Sequence, residues 1–201
     1  MVDLREVQRW FVGKDFTSDW TSPNFPKWCR ILEPRREQTH QILEIGSWEG
    51  RSAVFFLEFF PRASITCIDT FRGGIENQDD PNLPLIEERF DRNVEPYRNR
   101  VTKMKSESVV ALHALEKAGR IFDLVYIDGS HRRDDVIVDS LLTWRLSRIG
   151  TVIIWDDYGK EGQDNPNAIC VKPAVDVFLS LYAKYALPID LGYQIVIERR
   201  F

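Results

Sequence analysis

Leu43-Glu44-Ile45-Gly46-Ser47-Trp48-Glu49-Gly50-Arg51-Ser52 is the stretch that decides the fold of this chain. The apolar run ILEIG (42 to 46) reads as a strand that stops at Gly46. A tight turn follows, and a helix opens near Gly50. Glycine lets backbone approach a ligand closely, and the first amides of a helix have no partner within it, so they point into that space. Such a turn suits a ligand that carries a carboxylate. A nicotinamide site would more usually show G-x-G-x-x-G, and here Trp48 stands where the middle glycine belongs.

Outward from this turn, short runs rich in β-branched residues alternate with amphipathic stretches, the pattern of a parallel sheet covered by helices. Strands are predicted at 42 to 46, SITCID (64 to 69), VTKMK (101 to 105), FDLVYID (122 to 128) and GTVIIWD (150 to 156). Two more, at 189 to 192 and 194 to 198, are separated by almost nothing and read as an antiparallel hairpin. Helices are predicted at Arg51 to Phe60, Leu85 to Val94, Ser108 to Ala118, Arg133 to Ser147 and Lys172 to Tyr185. The helix from Arg51 is apolar almost all the way round, as expected where a helix is covered on several sides.

Two polar loops, Phe71 to Pro84 and Tyr158 to Val171, follow carboxyl ends of strands, where ligands bind in open α/β sheets. Residues 1 to 40 precede the repeating pattern. Their Phe16, Trp20, Phe25 and Trp28 amid prolines suggest a lid, or a helix covering one edge.

The chain has 201 residues, enough for one substantial core, and one domain over residues 41–201 is the expectation. Hydrophobic residues at 43% and charged residues at 29% are those of a globular chain. A net charge of −4 argues against a protein built to grip phosphate backbone, so no nucleic acid partner is expected. The charged start, MVDLREVQRW, lacks the apolar core of a signal peptide, and no later run reaches the length of a membrane span. A cytoplasmic protein without membrane contact is expected. Cys29, Cys67 and Cys170 are odd in number and share no metal-ligand spacing, so neither a disulfide framework nor a zinc site is suggested.

Chemistry-bearing residues gather at predicted strand ends. Asp69 closes the second strand, where an acidic side chain can accept hydrogen bonds from a ribose diol or simply cap the turn before Phe71. Asp128 ends the fourth strand and Asp156-Asp157 the fifth, bringing three carboxylates to one rim. At short range they repel by roughly 4 kcal/mol per pair in a partly buried site, so either a hard divalent cation compensates or the three cap turns. His131, three residues past Asp128, is placed to take a proton near neutral pH, or is a solvated surface residue.

Together these segments resemble the class I S-adenosylmethionine-dependent methyltransferases, and among them the small-molecule O-methyltransferases. LEIGSWEGRS resembles their first motif in its E-x-G-x-x-x-G-x-S form, and ITCIDTF their second-strand motif. FDLVYIDGSH with GTVIIWDDY is similar to their fourth and fifth strands, and ALPIDLGYQIVIERR to their final hairpin. The resemblance spans roughly residues 41 to 201. It implies a Rossmann-like α/β fold, a seven-stranded, mostly parallel sheet of order 3-2-1-4-5-7-6 with helices on both faces.

It also implies that Glu44, Gly46, Ser47, Trp48, Gly50 and Ser52 surround the methionine part of S-adenosylmethionine, that Asp69 binds its ribose, and that Ser106 and Glu107 meet its adenine. By the same resemblance to the metal-dependent members, Asp128, Asp156 and Asp157 hold Mg2+ or another divalent cation and Asp128 serves catalysis; other members place lysine or aspartate near His131, so its role as the base rests on its own position and chemistry. The expected partner is a small-molecule acceptor with a hydroxyl, and homo-oligomers are compatible with the sequence. Metal-free N- or C-methylation, or a non-catalytic module that binds the donor, are the competing expectations.

Overall fold

The computed structural model describes residues 2–74, 77–160 and 170–201. Seven strands form one sheet of order β3-β2-β1-β4-β5-β7-β6. They are β1 (Gln41–Ile45), β2 (Ser64–Asp69), β3 (Val101–Lys105), β4 (Phe122–Ile127), β5 (Ser147–Trp155), β6 (Ala186–Leu191) and β7 (Ile195–Arg199). β3 to β5 pair parallel across the sheet, whereas β7 runs antiparallel to both β5 and β6. The expected order and hairpin are therefore observed. The fifth strand begins at Ser147, earlier than expected, since its first residues pair with Phe122 before a register shift.

Side chains alternate across the strands, and each face is buried by its own helices. Ile42, Ile65, Cys67, Leu124, Tyr126, Val152, Ile154 and Val196 pack on one face. This face is covered by α1 (Leu4–Arg9), α2 (Phe25–Leu32), α3 (Arg51–Phe59) and α4 (Ile86–Val94). The opposite face, with Leu43, Ile45, Ile68, Val125, Ile127, Ile153 and Trp155, is covered by α5 (Ser108–Lys117), α6 (Arg133–Arg145) and α7 (Val171–Tyr182). Residues 52–57 of α3 are all buried, which explains its apolar circumference. Among the described residues, no helix is long and apolar enough to cross a membrane.

The first forty residues divide in two. α2 belongs to the core: Phe25 stacks on Phe55 with ring centres 4.6 Å apart, and the fully buried Trp28 ring meets Phe56 and Tyr126. Its indole N–H donates to Gln194 at 2.8 Å, joining α2 to the turn before β7. Phe16, Ser18, Trp20 and Thr21 instead line the cleft at the carboxyl ends of the strands. Of the two polar loops, residues 75–76 of the first and 161–169 of the second lie outside the described residues.

Candidate active site

The chain runs β1, β2, β3 outward to one edge, then returns to place β4 on the other side of β1. The strand order thus reverses between β1 and β4, and a crevice opens beyond their carboxyl ends. Here lies a cleft of about 880 Å3. Gly46 and Asp128 form its floor, with Asp128 donating its amide to the Ile45 carbonyl at 2.8 Å. Gly46 takes φ +84°, and a side-chain carbon there would stand 2.0 Å from the Asp128 carbonyl oxygen. Only glycine permits this approach.

The turn beyond Gly46 is held by Asp69. Its Oδ2 accepts from the amides of Ser47 and Trp48, both at 2.8 Å, and its Oδ1 accepts from the Phe71 amide at 2.6 Å. These bonds hold Trp48 at φ +48°, a conformation costly for a residue with a side chain. A carboxylate offers about four acceptor positions, so one remains for a ligand hydroxyl. Asp69 thus shapes the turn as well as facing the cleft.

Gly46, Ser47, Trp48, Ser52, Asp69, Ser106 and Glu107 all line the cleft, as does Trp20, whose ring sits 5.6 Å from that of Trp48. Glu44 and Gly50 do not. Gly50 caps α3 at φ +82°. Glu44 is fully buried and meets the cleft lining through Ser47, whose hydroxyl donates to it at 2.6 Å, and through Ser52.

Burial pushes the Glu44 carboxyl up to about 7, against the opposing pull of the Ser47 hydroxyl. The fold therefore favours its protonated form. That contribution is complete below the ordinary value of 4.5 and is lost as pH rises through about 7, amounting to roughly 3 kcal/mol. Glu44→Gln, which carries no charge, should gain stability relative to the parent between pH 5 and pH 8. Melting curves of the unliganded proteins across that range check it, and a constant offset between the two would refute the buried-acid account.

At the β4 and β5 ends the carboxylates divide their work. Asp128, His131 and Asp157 each offer an atom within 4.8 Å of the others, a spacing that fits one cation. His131 Nε2 lies 3.3 Å from Asp157 Oδ2 and 3.7 Å from Asp128 Oδ1. Lys160 Nζ approaches Asp157 Oδ2 at 3.1 Å and offsets part of the negative charge.

Asp156 lines the wall of the same cleft but is turned under the group. Its Oδ2 meets the Tyr126 hydroxyl, and its Oδ1 accepts the Asp157 amide at 2.8 Å. Tyr126 OH also lies 2.8 Å from Asp128 Oδ2. One phenolic hydrogen cannot serve both contacts while both acids are charged. In keeping with this, burial and the Asp156 charge push Asp128 up to about 7, and burial raises Asp156 as well.

Tyr126, Tyr193 and Lys160 are participants the sequence reading missed. Tyr126 was accessible in principle, because residues two apart on a strand share a face and FDLVYID places it beneath Asp128. Tyr193 carries no such signal: it reaches Asp157 only because the turn between β6 and β7 docks on Gly159, whose amide donates to the Tyr193 carbonyl at 2.8 Å.

A glycine turn at the reversal point of a seven-stranded sheet with an antiparallel β7 defines a nucleotide-type ligand site of the Rossmann-like class. The profile of a family described as "Methyltransferase domain" matches residues 43–158, and the chain belongs to that family. Comparison with curated proteins by sequence alone finds no match.

Among solved structures the fold is shared with the O-methyltransferase TomG from Streptomyces achromogenes, determined with its donor, at 20% identity and TM-score 0.65 over 88% of this chain and 80% of that one. It is shared too with an O-methyltransferase from Bacillus cereus in complex with SAH, at 18% identity and TM-score 0.63 over 96% and 86%. MycE from the mycinamycin biosynthetic pathway, in complex with Mg and SAH, aligns at 19% identity and TM-score 0.61 over 96% of this chain. The chain spans about half of MycE's length, 53%.

Proposed function

We propose that this chain is an S-adenosylmethionine-dependent O-methyltransferase that methylates a hydroxyl of a small molecule with the help of a divalent cation. The observation that carries the reading is the meeting, in one cleft, of the Gly46 turn with the group Asp128, His131 and Asp157. The neighbouring structures crystallised with SAM, SAH and Mg support it.

On the donor side, the first amides of α3, beside Ser52, would receive the methionine carboxylate, Asp69, with one acceptor position left, a ribose hydroxyl, and the Ser106 to Glu107 segment the adenine. On the acceptor side, Asp128 and Asp157 would hold the cation, with Asp156 behind them. Magnesium prefers oxygen ligands to imidazole, which leaves His131 as the base that takes the acceptor proton. A divalent cation in this place would supply acidification of the acceptor hydroxyl. Trp20 and Trp48 would exclude water and help fix the acceptor in line with the sulfonium. A reducing, cytoplasmic setting belongs to this reading, with Cys29, Cys67 and Cys170 buried.

The test is formation of S-adenosylhomocysteine with Mg2+ and a panel of phenols, catechols and sugar hydroxyls, beside amine acceptors. Turnover confined to amines, or donor binding without turnover on any acceptor, would overturn the O-methyl reading. Within an active system, His131→Ala should lower kcat about a hundredfold and flatten the acidic limb of the pH profile, with donor affinity unchanged. A rate within threefold of the parent would remove His131 from the role of base.

A further inference from the structure

Asp128 and Asp157 each show one oxygen toward His131 Nε2 and have the other engaged by a tyrosine. Asp128 Oδ1 faces the imidazole, while Oδ2 is 2.8 Å from Tyr126 OH. Asp157 Oδ2 faces the imidazole, while Oδ1 accepts from Tyr193 OH. A carboxylate with both oxygens open would turn about its side-chain bonds, and the spacing of the inner oxygens would wander. With the outer oxygen tied, each carboxylate can present only the inner one in a fixed direction; on Asp157 that oxygen also meets Lys160 Nζ at 3.1 Å, an ammonium that a cation would displace.

The two ties are independent of each other. Tyr126 is fully buried, and its ring is wedged by Trp28 and Phe56 at centre distances of 5.2 and 5.6 Å. Its hydroxyl is steadied from behind by Asp156, which is itself fixed by the Asp157 amide. Tyr193 comes from the far end of the chain, on the turn seated against Gly159, where a side-chain carbon would meet the Tyr193 Cα at 2.8 Å. One tie is thus built into the core and the other is delivered by the hairpin.

We propose that Tyr126 and Tyr193 are positioning residues that clamp the outer oxygens of Asp128 and Asp157 and so set the spacing at which the two inner oxygens receive a divalent cation. Asp156 acts through Tyr126. The clamp rests on the cation reading above. Partners that orient metal ligands typically govern affinity by ten- to a hundredfold, so Tyr126→Phe and Tyr193→Phe, which keep the rings and delete the hydroxyls, should each weaken binding about tenfold.

The experiment is calorimetric titration of the full chain with MgCl2 and with MnCl2, paired with titration of S-adenosylhomocysteine and a melting curve for every variant. The expected result is a tenfold loss of Mg2+ and Mn2+ affinity in each single variant, with S-adenosylhomocysteine affinity held within twofold. A merely structural role would lower donor affinity and melting temperature in step with the metal. Adding Asp156→Asn to Tyr126→Phe should cost little more than Tyr126→Phe alone; a further large loss would make Asp156 a direct ligand and overturn its action through Tyr126. If the parent takes up neither cation, the metal reading fails and the clamp with it. If the parent binds and both phenylalanine variants bind equally well, only the clamp is overturned. Should Tyr126→Phe fail to fold, Tyr193→Phe, altered at a half-exposed turn, decides the same question.

Discussion

Exhaustive chelation should stop methyl transfer while leaving donor affinity nearly intact, and added Mg2+ should restore the rate. Asp128, Asp156 and Asp157 crowd one rim, and at an effective dielectric near 20 two such charges 4 Å apart repel by about 4 kcal/mol. Lys160 offsets part of this repulsion, and burial together with the neighbouring carboxylates pushes Asp128 and Asp156 toward the protonated form. A divalent cation held there would relieve the same repulsion and acidify an acceptor hydroxyl. The proposed donor side, built on the Gly46 turn that Asp69 holds in place, needs no such charge. Rates with and without chelator, alongside donor calorimetry, check this. Full turnover by protein shown to be metal-free would instead establish transfer without a metal.

Gly46→Ala should abolish measurable donor binding, a loss of more than a hundredfold, and destabilise the fold by several kcal/mol. The new carbon would stand 2.0 Å from the Asp128 carbonyl oxygen, 2.4 Å from its carbon and 2.6 Å from Gly129 Cα, all backbone atoms that cannot rotate away. The positive φ adds a further cost of about 1 kcal/mol. Relief requires parting β1 from β4 at their carboxyl ends, which opens the floor of the cleft and breaks the bond between the Asp128 amide and Ile45. Gly119→Ala provides the control: φ is +67° there, yet nothing lies within 4 Å, so only the backbone cost applies. Denaturant titration and donor calorimetry of the two variants separate steric from conformational effects. Wild-type donor affinity in Gly46→Ala would show that the crevice tolerates a side chain, contrary to the geometry.

The sheet was legible because its signals are local. Strand residues alternate, the turn at Gly46 announces itself by glycine and a following apolar helix, and a hairpin needs only two strands and a short gap. The rim was legible for the same reason, since Asp69, Asp128 and Asp156-Asp157 each end a recognisable strand. What escaped depends on contacts distant in sequence. Nothing in FPKWCRIL says that the Trp28 ring will meet both Phe56 and Tyr126, so α2 read as part of a lid or as cover for one edge, and not as core. Asp156 and Asp157 are adjacent and look equivalent, yet the buried Tyr126 draws one inward while a left-handed backbone at Asp157, φ +56°, turns the other toward His131. Asp69 read as a ribose ligand or as a cap on the turn before Phe71; the cap is present, but the Ser47 and Trp48 amides that it also holds come within reach only in the folded loop.

The ties between α2 and the closing hairpin bear on how the chain is made. Lys27 pairs with Asp190 at 3.3 Å, Trp28 with Gln194, and Arg35 with Glu198, so α2 and the turn after it are fastened three times to a hairpin made more than 160 residues later. A ribosome adds roughly 5 to 20 residues each second, and for that interval α2 and the apolar α3 beneath it wait without their final partners. Closure of the domain is therefore a late, long-range event. In a growing chain the face of the sheet that α2 covers stays incomplete until β7 arrives, and it is a surface a chaperone would meet.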